Sequence, residues 1–202
     1  MDNQPIETQQ KPYHQTRQEP TSNTPTMTTR KIAISGVLAA ITILLGWTRW
    51  GFIPIPLPIG DATIMHVPVI LGAILEGPIV GTILGAIFGI FSLIQPAAVD
   101  WFKDPTISIL PRLLIGVCAW GAYALTRRWS EWIAIILAGV VGTLANTVFT
   151  LGMLVIRNKI DVRTAVTFGA AAYPPEAIIA IIVLLGVLGA WKGVGRRTSS
   201  RL

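Results

Sequence analysis

The residues of this sequence that could carry chemistry are a few polar side chains inside or beside long apolar stretches. They are His66, Gln95, Arg112, Asn146, Tyr173 and Glu176. An ionisable group at membrane depth costs from about 2.5 kcal/mol upward, so by default it indicates a functional site. Asn146 lies ten residues before Ile156, where its apolar stretch ends, and this spacing corresponds to about 15 Å of helix. Polar groups at a similar depth on several stretches indicate a small-molecule pocket.

Each candidate except Tyr173 also has a purely structural explanation. His66 could cap a helix at the membrane interface, and Arg112 could extend outward to water. Glu176 could be a first-turn acid favoured by the helix dipole, or the ion-pair partner of Arg112. Gln95 could mark a helix end, and Asn146 could form a hydrogen bond between helices. Asn146 is the hardest to explain without a ligand, because it lies too deep to reach water.

Several catalytic patterns are missing from the sequence. No glycine-rich loop ends in Gly-Lys-Ser/Thr, so no phosphate cradle for a nucleotide is predicted. His14 lies in the polar N-terminal segment, which leaves His66 without a second histidine for a metal site. No Ser/His/Asp or Cys/His set stands out. The sequence therefore predicts a protein that is not an enzyme and that uses no cofactor or metal.

Composition indicates a membrane protein. Hydrophobic residues make up 52% of the chain and charged residues 13%, whereas an ordinary soluble domain has about a quarter of its residues charged. The apolar residues form blocks, and about 20 apolar residues are what a helix needs to cross a hydrocarbon core of about 30 Å. The basic residues lie at the ends of these blocks, which favours a role in membrane orientation over binding of nucleic acid. The single cysteine, Cys118, excludes an intramolecular disulfide.

The predicted fold is an all-α integral membrane protein, a bundle of six transmembrane helices with a disordered N-terminal tail. The membrane domain covers residues 30–195. Residues 1–29 are rich in Gln, Thr and Pro and are predicted to be a disordered cytosolic tail, because they cannot bury enough apolar surface to fold. Residues 196–202 are a basic C-terminal tail. The predicted spans are Lys31–Thr48, Ala62–Leu75, Pro78–Gln95, Ser108–Thr126, Trp132–Ile156 and Tyr173–Lys192.

The basic residues predict the orientation. With the N-terminus in the cytosol, eight Lys and Arg residues lie on the inner side and five on the outer side. Because Lys and Arg are enriched on the cytoplasmic side, the pattern predicts a multi-pass protein of the plasma membrane with both termini in the cytoplasm. Arg157, Lys159 and Arg163, after the fifth span, run against this rule.

Small residues recur every four positions in two spans. Gly77, Gly81, Gly85 and Gly89 are spaced this way in the third span, where we predict that they pack against another helix of the same chain. The first span has two such pairs, Ser35 with Ala39 and Gly36 with Ala40. A first helix often lies at the edge of a bundle, so this second stripe suits a helix of a partner protein.

The loop after the first span, TRWGFIPIPLPIGD, combines three prolines with aromatic and aliphatic side chains. Proline fixes φ and removes a hydrogen-bond donor, so the loop is predicted to be a stiff apolar strap rather than a helix. Such a strap could gate a polar pocket, or it could rest on lipid headgroups.

These features resemble the substrate-binding S components of energy-coupling factor transporters. The resemblance covers about residues 29–192 and is carried by the short second span TIMHVPVILGAILEGP, the glycine-spaced GTILGAIFGIFSLIQP and the fifth-span segment NTVFTLGMLV. Within that family, GTLANTVFTLGMLVI and PPEAIIAIIV look most like the pantothenate type.

The resemblance implies a subunit that captures a vitamin-like small molecule near the outer face of the bilayer. It further implies partnership with a transmembrane coupling subunit and two cytosolic ATPases, contacted through the small residues of the first helix, and a gating role for the strap. Pantothenate is the favoured substrate, with Arg112 or His66 binding its carboxylate.

Other substrates and other functions are alternatives. Folate, riboflavin or a modified-base precursor could be the substrate of such a subunit. A stand-alone secondary transporter is another, although the sequence contains neither an inverted repeat nor paired buried acids. The last alternative is a structural membrane subunit without a ligand, which would leave Arg112 and Asn146 without a function.

Overall fold

The structure, a computed structural model, describes residues 29–48, 50–53, 62–95 and 99–199. Two-residue strands β1 (Phe52–Ile53) and β2 (Ala62–Thr63) pair antiparallel, with Phe52 opposite Thr63, and a single 3₁₀ turn covers Asp100–Lys103. The rest of the described chain is mainly helical. The helices are α1 (Thr29–Trp47), α2 (Val67–Glu76), α3 (Pro78–Ile94), α4 (Pro105–Ser108), α5 (Leu110–Thr126), α6 (Glu131–Ile156) and α7 (Val162–Ser199).

Three helical stretches of the described chain are long and apolar enough to cross a membrane. They are Pro105–Thr126, Glu131–Ile156 and Val162–Trp191, whereas Lys31–Trp47, Val67–Glu76 and Pro78–Ile94 are shorter apolar helices. Large apolar side chains are exposed on the bundle surface, among them Trp47, Leu125 and Ile156. So large an exposed apolar surface is not stable in water, and it agrees with the predicted membrane location.

The predicted start of the last helix at Tyr173 is wrong, because α7 begins at Val162 and contains both Pro174 and Pro175. The backbone carbonyl of Asp161 accepts a hydrogen bond from the amide of Ala165, 3.0 Å away, and its carboxylate accepts one from the amide of Thr164, 3.3 Å away. Asp161 thus satisfies amides of the first turn and favours helix initiation there. The predicted tail at residues 1–29 lies outside the described residues except for Thr29, and the chain is helical to Ser199.

Helix α2 is shorter than the predicted span Ala62–Leu75. It has 10 residues, which corresponds to about 15 Å or half of the hydrocarbon thickness. It begins beside the middle of α6, where the side chain of Ile70 lies against Gly142. Gly77, in a positive-φ conformation (96°), separates it from α3. The chain therefore turns back into α3 at once, and α2 lies in only one half of the bundle.

The face of α3 that carries Gly81, Gly85 and Gly89 packs against α5. The four-residue spacing of these glycines predicted such packing within the chain. A Cβ atom on Gly81 would lie 2.9 Å from the Cα of Gly116, and one on Gly89 would lie 2.8 Å from the Cα of Ile109. A Cβ atom on Gly85 would overlap the backbone carbonyl of Arg112. Gly77 is not part of this face, because it lies in the turn before α3. The close approach of the two backbones positions Arg112.

Replacing Gly85 with alanine should therefore lower the melting temperature of the purified protein. The methyl group would meet backbone rather than a movable side chain, and overpacking of this kind costs about 1–3 kcal/mol. The matched control is Gly121→Ala on α5, where an added Cβ meets nothing within 4 Å. Melting curves in the same detergent check the prediction, and equal melting temperatures for the two variants would contradict it.

Candidate functional site

Helix α6 carries a buried polar face in the middle of the bundle. Thr143, Asn146, Thr147 and Thr150 follow the spacing of one helix face, and all four side chains are buried. Of these four residues, only Asn146 was predicted from the sequence as a site residue. The three threonines were missed because threonine is common in apolar helices, although their spacing around Asn146 was a usable signal.

Two oxygen atoms of this face have no hydrogen-bond partner among the described residues. They are the side-chain Oδ1 of Asn146 and Oγ1 of Thr150, one helical turn apart and both buried. A buried polar atom without a partner costs about 1–3 kcal/mol. These atoms do not form the interhelical bond that was the structural explanation for Asn146, and their hydrogen-bonding capacity is unused among the described residues.

Arg112 lies inside the bundle, and the alternative that it extends outward to water is wrong. The residue is 4% exposed, and its guanidinium carbon lies 5.5 Å from the ring centre of Phe88 and 5.2 Å from that of Phe102. Its Nη1 donates a hydrogen bond to the carbonyl of Ile107, at 2.5 Å. Its Nε is buried without a partner. A fixed cation with an unused donor is suited to bind a carboxylate.

Glu176 connects α7 to strand β2. Its Oε1 accepts a hydrogen bond from the backbone amide of Thr63, 2.7 Å away, and the residue is 4% exposed. It lies fourteen residues after the first residue of α7, so it is not the first-turn acid that we considered. Arg112 and Glu176 attract each other electrostatically, but the structure contains no direct salt bridge between them. Glu176 therefore places strand β2, which follows the strap in the sequence, beside the polar centre.

His66 joins α2 to the polar face of α6. The residue is fully buried, and its Nε2 lies 3.0 Å from the Oγ1 of Thr143, within hydrogen-bond distance. It precedes the first residue of α2, but its side chain makes no capping hydrogen bond, so the alternative of a cap at the interface is wrong. The bond holds the start of α2 at the level of Thr143.

The remaining two candidates are not joined to this centre by any contact that the structure describes. Gln95 ends α3, as the structural explanation expected, and it precedes residues 96–98, which lie outside the described residues. The hydroxyl of Tyr173 donates a long hydrogen bond, 3.5 Å, to the carbonyl of Val140, and its side chain lines a surface groove between α6 and α7. The polar centre thus comprises His66, Arg112, Asn146 and Glu176 of the predicted set, with Thr143 and Thr150 added.

On α1 the structure distinguishes the two candidate pairs of small residues. Gly36 and Ala40 are exposed, and a Cβ atom on Gly36 would meet nothing within 4 Å. Ser35 and Ala39 are half-buried. The hydroxyl of Ser35 donates to the carbonyl of Lys31, at 2.6 Å, and Ala39 packs against the core. The surface available to another helix therefore contains Gly36 and Ala40.

Both the fold and the sequence have known relatives. Residues 30–195 match the family model for the ECF transporter, substrate-specific component. A crystal structure of the S-component for biotin from an ECF-type ABC transporter has a similar fold, with a TM-score of 0.60 and 21% identity, over 83% of this chain and 95% of that one. None of the curated proteins gives a match.

The family match covers most of the chain, including α1 to α7. Members of this family bind small vitamin-like substrates in the membrane, pair with a coupling subunit and ATPases, and are not themselves enzymes. The chain therefore belongs to the family of substrate-specific components of ECF transporters.

Proposed function

We propose that the chain captures a carboxylate-bearing vitamin, with pantothenate favoured, as the substrate-specific subunit of an importer in the plasma membrane. In this proposal the bilayer contains all the helices except the four-residue α4, and both termini are cytoplasmic. The coupling subunit and two ATPases supply the energy. The proline strap, of which residues 49 and 54–61 lie outside the described residues, acts as the gate.

The observation that carries this proposal is the guanidinium of Arg112. It is buried between two aromatic rings and keeps a free Nε donor, so a carboxylate can bind it without first displacing a protein carboxylate. Pantothenate also has two hydroxyl groups and an amide N–H. These are donors for the free oxygens of Asn146 and Thr150.

Biotin is the second candidate, because the structural neighbour is described as the S-component for biotin. Biotin has a carboxylate for Arg112 and ureido N–H groups for the oxygens of Asn146 and Thr150. Its apolar chain and bicyclic ring require more apolar contact than pantothenate does. The two vitamins can therefore be distinguished by direct competition.

The test is to identify the small molecule that co-purifies with the protein, by extraction and mass spectrometry, followed by titration with pantothenate and with biotin. We expect pantothenate to be recovered and to bind more tightly than biotin. Recovery of biotin would replace the vitamin but keep the carboxylate site. Recovery of a ligand without an acid group, such as riboflavin, would contradict the role of Arg112.

Replacing Asn146 with alanine should weaken pantothenate binding by about threefold to tenfold. The loss of one hydrogen bond costs about 0.5–1.5 kcal/mol, and each 1.4 kcal/mol is a factor of ten in affinity. Thr126→Val is the control, because the Thr126 hydroxyl bonds only within its own helix, to the carbonyl of Ala122. An unchanged dissociation constant together with a lower melting temperature in both the free and bound states would assign Asn146 to the scaffold.

A further inference from the structure

A second concave surface lies on the outside of the bundle, between α6 and α7 and next to their connection. It is a groove of about 600 Å³, whose lining includes Thr147 at the edge of the polar face of α6 but none of the six residues of the polar centre. Aliphatic residues with high exposure form its walls, among them Ile156, Val162 and Val166, and Gly152 and Gly169 form part of its floor. The remaining lining residues are Leu144, Thr147, Val148, Leu151, Val155, Ala165, Ala170 and Tyr173.

The length of the groove corresponds to one leaflet of a bilayer. Along α7 it extends from Val162 to Tyr173, eleven residues later, which is about 16 Å of helix. The hydrocarbon core of a bilayer is about 30 Å thick, so one leaflet contributes about half of that. A single acyl chain that enters at the α6–α7 connection would end near Tyr173.

The connection at the open end of the groove is basic. Residues 157–163 contain Arg157, Lys159 and Arg163 but only one acid, Asp161. Arg157 already forms a salt bridge with Asp104, because its Nε and Nη2 lie 3.1 and 2.9 Å from the Oδ2 of that residue.

Asp161 also bonds within the chain, to Thr164. Lys159 and Arg163 are exposed, and Arg163 shares a helix face with Val166 and Ala170, which line the groove. Arg163 therefore lies on the groove face of α7, and Lys159 lies in the connection four residues before it.

We propose that this groove binds an anionic phospholipid of the surrounding bilayer, with one acyl chain along α6 and α7 and the phosphate at Lys159 and Arg163. A basic residue near a membrane surface attracts an anionic lipid by about 1 kcal/mol, and the two charges act on one headgroup. The binding is independent of which vitamin the protein takes.

The experiment compares retention of dioleoyl-phosphatidylglycerol and dioleoyl-phosphatidylcholine by the full chain, measured by native mass spectrometry from mixed micelles. The wild-type protein should retain the anionic lipid preferentially. The double variant Lys159→Gln/Arg163→Gln should lower that preference about 30-fold, the factor that corresponds to about 1 kcal/mol for each charge. Gly152→Leu should abolish retention, because Gly152 lines the groove and an added Cβ atom there meets nothing within 4 Å, so the leucine side chain has room to occupy the space of the acyl chain.

Two variants serve as matched controls. Arg127→Gln/Arg128→Gln removes two exposed charges at the opposite end of α6, and Gly121→Leu adds the same side chain at an equally open glycine of α5. Both should retain phosphatidylglycerol as the wild type does. Equal retention of the two lipids by the wild type would overturn the proposal and assign the groove to general lipid contact or to a partner helix. Unchanged retention by Gly152→Leu would also overturn it, and so would equal losses in the two charge variants.

Discussion

Replacement of Arg112 by glutamine should weaken pantothenate binding about 10-fold to 100-fold. The guanidinium is the one cation that the described polar centre contains, and a hydrogen bond to a charged group contributes about 1.5–3 kcal/mol. Arg112→Lys should give an intermediate loss, because lysine keeps the charge but lacks the planar group that stacks between Phe88 and Phe102. Isothermal titration of the purified variants measures the effect.

A change in binding could also arise from structural damage, because Arg112 attracts Glu176. Titration with panthenol, the analogue in which an alcohol replaces the carboxylate, separates the two causes. If Arg112 binds the acid group, the wild type and Arg112→Gln should bind panthenol with similar affinity. An equal loss for both ligands would show that Arg112 supports the structure and does not bind the carboxylate. Arg127→Gln, an exposed arginine after α5, is the control for charge alone.

Leucine at Gly36 or Ala40 should reduce vitamin uptake by cells more than tenfold while leaving binding by the isolated protein unchanged. Both residues are exposed on α1, and small residues in a four-residue spacing let two helices approach closely in lipid. A leucine side chain would separate the partner helix from α1. Uptake of labelled pantothenate and co-purification of the coupling subunit are the two measurements.

The control for this prediction is Gly121→Leu, which adds the same side chain at an open position of α5. Ala39 is less suitable as a test position, because it packs against the core and leucine there would disturb the subunit itself. Normal uptake by Gly36→Leu and Ala40→Leu would move the partner surface away from α1. Uptake in cells that lack the coupling subunit would instead favour the stand-alone secondary transporter.

The apolar blocks of the sequence predicted the bounds of a helix well where the length of the block alone fixes them. The segment Glu131–Ile156 was predicted almost to the residue, because a long apolar run with charged ends has one solution in a bilayer. The start of α7 was not predictable in this way. The predicted span began at Tyr173, but packing of Ala165 and Phe168 against α6 accompanies a helix that begins at Val162 and continues through Pro174 and Pro175.

The polar centre was predictable only in part. Arg112, Asn146 and Glu176 stand out because they are expensive at membrane depth, so their type alone marks them. The rings of Phe88 and Phe102 around Arg112 come from α3 and from the turn before α4, and their meeting depends on the close packing of α3 on α5. No local pattern contains that information. The pairing of His66 with Thr143 likewise joins residues 77 positions apart.

The half-length of α2 leaves one half of the described bundle with fewer helices than the other. Because α2 begins beside Thr143, the half of the described bundle toward the α6–α7 connection is enclosed by five helices and lacks a sixth. A helix in that position would occupy a cylinder about 15 Å long and about 10 Å wide, or about 1,200 Å³, which is of the order of a small-molecule pocket. In the proposed function the vitamin takes the place of this half-helix, and the point at which α2 starts sets how deep the vitamin lies. If α2 started one turn later, this space would be deeper by about 5 Å, with the rest of the scaffold unchanged.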